Sequence, residues 1–207
     1  MKIELHFKAL AKQPIPADHG YALMGAVTQI VPSGHAGDGF AIAPIAGMQV
    51  GNRMMALTQH SRLILRLEAE RIHDFLPLAG KSIRIGDRFV MLGTPTVHPI
   101  MPAETVKARL VTIKGFFEPA AFAEAAKRQL EKIGITNANV TLGRQRTICI
   151  RRNEILGFET TVSGLDGDSS IIVQSEGIGG RRHMGCGVFV PHSGSKALTG
   201  GDDGEES

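Results

Sequence analysis

Eight histidines are the chain's candidates for proton transfer near neutral pH: His6, His19, His35, His60, His73, His98, His183 and His192. His183 lies in the densest chemical feature of the sequence, residues 176–191, which read E-G-I-G-G-R-R-H-M-G-C-G-V-F-V-P. Five glycines there surround Arg181, Arg182 and His183. Glycine permits positive φ and lets another backbone approach closely. Exposed amides together with guanidinium groups make a site for phosphate oxygens. A dinucleotide fingerprint needs a strand before such a loop and a helix after it; here the order is helix, loop, strand. The plain alternative is a glycine-rich crossover that merely packs tightly. Cys149, His183, Cys186 and His192 match no zinc spacing, and both cysteines read as small buried residues. No metal and no cofactor is expected.

The elements that must position these groups can be read from periodicity. Residues 2–10 alternate Ile3, Leu5, Phe7 against Glu4, His6, Lys8, a strand with one buried face. After Pro14 and Pro16, Asp18 can cap a helix whose apolar side runs Tyr21, Met24, Ala26 or Val27, Ile30 and Val31. Pro32 and Gly34 end it, and the loop that follows holds His35. Residues 62–67 alternate again, with Arg62 and Arg66 on the outward side. A short helical pattern over 69–76 leads to a hairpin, 82–85 and 88–92, across Gly86-Asp87. Residues 94–105 are rich in proline and read as a linker. Then come a strand over 106–113, a helix over 118–133 with Pro119 in its first turn and Gly134 at its end, strands near 139–142, 145–150 and 155–162, a weak helix over 163–175, the glycine run, and a strand over 187–190.

Each half therefore runs β, α, β, β, α, β. That order predicts an α+β chain of two tandem ferredoxin-like (RRM-like) domains, 1–98 and 99–192, the second carrying the glycine-rich loop. Residues 193–207 form an acidic tail that is expected to be disordered. With no Trp and a single Tyr, the chain lacks the stacking aromatics by which RNA-recognition modules read bases, so any RNA is held through charge and backbone.

The formal net charge of +3 hides a segregation. Residues 202–207 hold four acids and no base, so the rest of the chain is four units more positive. Lys107, Arg109, Lys114, Arg144, Arg146, Arg151, Arg152, Arg181 and Arg182 gather in the second half. A basic body suits a polyanion, because each neutralised phosphate releases counterions. No apolar stretch nears the roughly 20 residues that cross a bilayer, and no membrane association is expected. The absence of a signal-like segment and the two cysteines point to a reducing cytoplasm.

The run G-x-G-G-R-R-H-M-G-C-G-x-F-x-P, between a helix and a terminal strand, resembles the C-terminal signature of the Cas endoribonucleases that process CRISPR transcripts, most closely their Myxococcus-subtype branch. Val111-Thr112-Ile113-Lys114-Gly115-Phe116, Leu76-Pro77-Leu78-Ala79-Gly80-Lys81 and Asp18-His19-Gly20-Tyr21-Ala22-Leu23 are similar to further blocks of that branch. The resemblance covers the chain up to about residue 191. It implies two ferredoxin-like domains and metal-independent cleavage of CRISPR repeat RNA, leaving a 2′,3′-cyclic phosphate. It also implies an enzyme that stays on the crRNA hairpin beside other Cas proteins of an effector complex.

Such cleavage uses the substrate's own 2′-hydroxyl, which must lose a proton while the leaving 5′-oxygen gains one. The resemblance puts His35 first, because the family commonly places its catalytic histidine in the loop after the first helix. The family's His-Glu is His35-Ala36 here, a departure. His60 is the second proton carrier. Tyr21 offers a phenol for acid or orienting work, although its place on the apolar stripe reads as core. His19 reads as structural. Lys114, Gly179, Gly180, Arg181, Arg182 and His183 are expected around the phosphate. Arg144, Arg146, Arg151 and Arg152, around two expected turns, look like a groove for the hairpin. Two other readings stay open: a non-catalytic subunit that holds the repeat hairpin, and a ferredoxin-like enzyme unrelated to RNA.

Overall fold

The computed structural model describes residues 1–31, 39–151 and 153–192. The alternation of the first strand, β1 (Lys2–Leu10), holds: Ile3, Leu5, Phe7 and Ala9 are buried. After a short β2 (Ile15–Pro16), the chain forms α1 (Gly20–Ile30), β3 (Phe40–Ala43), β4 (Met48–Gly51), β5 (Met54–Ala56) and β6 (Arg62–Glu68). A broken helical turn follows, with α2 (Ile72–Phe75) at its centre, then β7 (Ser82–Ile85) and β8 (Arg88–Pro99). The sheet order is β3-β6-β1-β8-β7, and β2, β5 and β4 make a small separate sheet. The first and third strands of the βαββαβ unit, β1 and β6, lie side by side at the centre, and β7 is an added edge.

The second half gives β9 (Thr105–Val111), α3 (Pro119–Lys132), β10 (Asn139–Ile150), β11 (Asn153–Ser163), α4 (Gly167–Glu176) and β12 (Phe189–Pro191). Its sheet order, β10-β11-β9-β12, is the same winding. The fold is therefore two tandem ferredoxin-like domains, as the element order implied. Helix α3 shows why its sequence is legible. Pro119 opens it, Phe122, Ala126 and Leu130 are buried on one stripe, and Gly134 at φ +86 ends it. Phe122 meets Phe158 of β11 edge-on at 4.8 Å between ring centres. Truncating Phe122 to Ala would cost about 3–5 kcal/mol.

Several expectations are corrected. Residues 94–99 are not linker: they extend β8, pairing Pro95 with Phe7 and Val97 with Leu5. β10 is one strand with an irregularity between Leu142 and Gln145, so Arg144 and Arg146 lie in a strand and not at a turn. Asp18 does not cap α1. The residue before the helix is His19, with no side-chain cap, and the Asp18 carboxylate accepts from the Cys149 amide at 3.0 Å instead. Helix α1 buries Leu23, Ala26 and Val27, whereas Tyr21 is only half-buried and its hydroxyl reaches Arg151. Cys149 is exposed and Cys186 is buried.

Arg66 carries the largest correction. It does face away from the first core, yet it is only 2% exposed because the second domain covers that face. Its guanidinium binds Glu4 and donates to the carbonyls of Gln174 and Phe189, the latter at 2.9 Å. Ala41, Ala43 and Val188 form a small apolar cluster across the same seam.

Candidate functional site

Two basic cavities flank the seam between the domains. The larger, about 600 Å³, is lined by Arg53 from the β4–β5 turn, Asp18, Arg109 of β9, and Arg144, Gln145 and Arg146 of β10. Its arginines differ in how far they are already engaged. Arg146 donates to Glu159 at 3.2 Å, and the same carboxylate binds Lys107 at 2.7 Å. The Lys107 bond, with Arg146 behind it, holds the Glu159 carboxyl below the usual carboxylate range. Arg109 donates to the neutral carbonyl of Ala17 at 3.2 Å. Among the described residues, Arg53, Arg109 and Arg144 have no carboxylate partner. Three unneutralised guanidinium groups against one carboxylate, Asp18, make a cleft for an anion with several charges.

The smaller cavity, about 330 Å³, includes Lys2, Gly39, Arg66, Arg181, Arg182 and His183 in its lining. Much of its charge is committed. Lys2 is paired with Glu176 at 2.8 Å, Arg66 with Glu4, and Arg182 donates to the Ser175 carbonyl at the end of α4. Burial draws the Arg182 pKa down. Arg181, at φ +65, donates only weakly to the Thr112 hydroxyl at 3.3 Å and is the guanidinium best placed to take a ligand. Burial, with Arg181 adding to it, lowers the pKa of His183, which therefore favours the neutral imidazole.

The glycine loop between α4 and β12 packs as a crossover. The Gly179 amide donates to the Gln129 side chain at 2.7 Å and the Gly180 amide to the Thr112 carbonyl at 3.0 Å. Gly187 donates to the Leu110 carbonyl at 2.7 Å. A Cβ at Gly187, where φ is +64, would lie 2.1 Å from the Ile178 carbonyl oxygen. The amides of Gly179 and Gly180 are thus spent on the protein, and the loop's contribution to an anion rests on the Arg181 and His183 side chains.

The other expected site residues are dispersed. His35 and Arg152 lie outside the described residues. His60 is exposed beside Gln59, and neither basic cavity includes it. The Tyr21 hydroxyl accepts from Arg151 Nε at 3.2 Å, at the turn between β10 and β11. Lys114 is exposed after β9, and neither cavity's lining includes it. His19 is structural: it is 1% exposed, its Nδ1 meets the Pro16 carbonyl at 2.9 Å, and the Ile45 amide donates to its Nε2 at 3.0 Å. Burial pushes the Cys186 thiol up to about 11, which leaves it an inert core group. Among the described residues no cluster of three or more His, Cys, Asp or Glu could hold a metal ion, and no helix is long and apolar enough to cross a membrane. Sequence reading missed Arg53, because the strands on either side of its Gly51-Asn52-Arg53 turn are only four and three residues long and β4 does not alternate.

The tandem ferredoxin-like fold is shared with solved structures. A solved structure described as CRISPR associated protein Cas6 matches with a TM-score of 0.72, covering 93% of this chain and 100% of that one at 14% identity. A Cas6-related protein from Pyrococcus furiosus matches with a TM-score of 0.65, over 91% and 98% of the two chains, at 12% identity. These likenesses give the fold. In sequence, the chain is 35% identical over 178 residues to the CRISPR-associated endonuclease Cas6 of Myxococcus xanthus (strain DK1622), covering 86% of this chain and 76% of that protein. Residues 3–194 match the family described as Cas6 Crispr. The chain belongs to the Cas6 family, the membership its glycine run implied.

Proposed function

We propose that the chain is a metal-independent endoribonuclease that binds CRISPR repeat RNA and cuts pre-crRNA into guide RNAs. The observation that carries this reading is the seam itself. An open cleft holds Arg109 and Arg144 without a carboxylate partner, and Arg109 also borders Gly185 and Cys186 of the glycine loop, in a chain related to a named Cas6 endonuclease. Arginines along a strand suit A-form RNA, which is gripped by shape and backbone. In the reaction, the 2′-oxygen attacks the adjacent phosphorus, the bond to the 5′-oxygen breaks, and a 2′,3′-cyclic phosphate and a 5′-hydroxyl result. The 2′-hydroxyl proton passes to a base, and the leaving oxygen takes up a proton.

His35 is the principal proton carrier in this reading. Support comes from the resemblance, which puts the catalytic histidine in the loop after the first helix; the smaller cavity is lined by Arg181 and His183. His183 replaces His60 as the second carrier, because it borders that cavity and its pKa is lowered toward the neutral base. Arg181 faces the phosphorane charge. Arg151, hydrogen-bonded to Tyr21, extends the RNA path toward the β10–β11 turn, and the enzyme stays on the repeat hairpin of its product as a subunit of an effector complex. The test is the chemistry of the ends. Repeat RNA incubated in excess chelator should yield a 2′,3′-cyclic phosphate, and a 2′-deoxynucleotide before the cut should block the reaction. A 5′-phosphate product, or cleavage of the deoxy substrate, overturns the mechanism.

A further inference from the structure

Strand β4 turns into β5 through Asn52 and Arg53, whose φ angles are +49 and +56. Two residues at positive φ make the mirror-image turn that suits a twisted hairpin. Asparagine tolerates the first position; the second ordinarily carries glycine, because a Cβ there crowds the following carbonyl. An arginine in that place is a local conflict between sequence and backbone, and such conflicts persist where function retains them. Among the described residues, the four non-glycine residues with positive φ are Asn52, Arg53, Arg151 and Arg181. Every one except Asn52 is therefore an arginine, and two of them, Arg53 and Arg181, line the basic cavities.

The backbone around Arg53 is braced. Its carbonyl accepts from the Ala17 amide at 2.8 Å, and the adjoining Asp18 binds the Cys149 amide of the second domain. The turn is thereby tied to the wall of the larger cavity. Among the described residues the Arg53 guanidinium has no carboxylate partner, and it shares that cavity with Arg109 and Arg144. The last two come from the second domain, whereas Arg53 comes from the first. The one carboxylate in the lining, Asp18, is occupied by a backbone amide.

We infer that Arg53 is a phosphate clamp, held in a strained turn so that its guanidinium closes over an RNA backbone lying against Arg109 and Arg144. The inference deepens the RNA reading above and rests on it. It makes the RNA span both domains, so that the grip depends on their docking as well as on the arginines of β9 and β10. A strained clamp has a signature that an ordinary surface arginine lacks: replacing it with glycine, which has no Cβ, relieves the backbone and loosens the ligand at once.

The experiment compares the wild type with Arg53→Gly, Arg53→Ala and, as a control for the cleft, Arg144→Ala. Each is titrated with a fluorescein-labelled RNA of one CRISPR repeat across a salt series and melted without RNA. Arg53→Gly and Arg53→Ala should each bind about tenfold more weakly at low salt. Their plots of log affinity against log salt should be shallower by about 0.7–0.9, one phosphate contact. Arg53→Gly should melt no lower than the wild type and above Arg53→Ala. Unchanged affinity and slope in both variants, with Arg144→Ala weakened, overturns the clamp alone. A lower melting temperature for Arg53→Gly than for Arg53→Ala overturns the strain argument. A wild type that does not bind repeat RNA removes the RNA reading and the clamp with it.

Discussion

Arg66 on β6 donates to the carbonyl of Phe189 on β12 at 2.9 Å, so one buried guanidinium joins the two sheets. Burial pushes the Glu4 carboxyl up, but hydrogen bonds from His6 and Arg66 outweigh it and hold Glu4 below the ordinary carboxylate range. Arg66→Met leaves that carboxylate without its main cation and two carbonyls without a donor. The expected loss is about 3–5 kcal/mol in urea unfolding. Adding Glu4→Gln should recover part of it, since the uncompensated charge is then gone. Strict additivity of the two losses would show that the pair is not coupled.

His19 gives the fold a pH dependence. The Ile45 amide donates to Nε2, so the imidazole is neutral with its proton on Nδ1, facing Pro16. Burial, the largest influence, lowers its pKa. The unfolded chain then has the higher value, near 6.5. The contribution of His19 to stability is full above that pH and declines as pH falls through it toward the folded pKa. At pH 7.5, His19→Gln should cost about 1–3 kcal/mol. The gap between variant and wild type should narrow by pH 5. A gap that stays constant contradicts the buried neutral imidazole.

The glycine run separates by position. Gly187 combines φ +64 with a Cβ position 2.1 Å from a carbonyl oxygen, whereas a Cβ at Gly180 meets open space. Gly187→Ala should destabilise by about 1–3 kcal/mol. Gly180→Ala should stay within about 0.5 kcal/mol of the wild type. Thermal melts of the two variants check the contrast, and equal losses would refute it.

The adjacent arginines separate in the same way. Arg181 faces the smaller cavity with one weak neutral partner, whereas Arg182 turns to the end of α4. Arg181→Ala should weaken RNA binding and flatten its salt dependence at unchanged stability. Arg182→Ala should lower the melting temperature, with a smaller effect on the salt slope. The reverse pattern would exchange their roles.

Where a local rule governs, the sequence is legible. Alternation marks β1 and β6, Pro119 and Gly134 bracket α3, and Gly86 marks the β7–β8 turn. Strand β3 hides because all four of its residues are buried, and β4 because all four are exposed, so neither alternates. Arg66 reads as outward-facing because periodicity reports which side leaves the first core, not what covers that side. The larger cleft was half legible. Arg144 and Arg146 stand out in a basic stretch, but only domain docking brings Arg53 and Asp18 opposite them.

RNA cleavage by proton transfer at a histidine is the proposal on which the other roles depend. Single-turnover cleavage of repeat RNA in excess chelator, wild type against His35→Ala, tests it most directly, because retained product cannot mask the chemical step. The account predicts a rate lower by ~10²–10⁴-fold with RNA affinity nearly unchanged. An unchanged rate for His35→Ala, or a wild type that binds the repeat and never cuts it, would contradict the account.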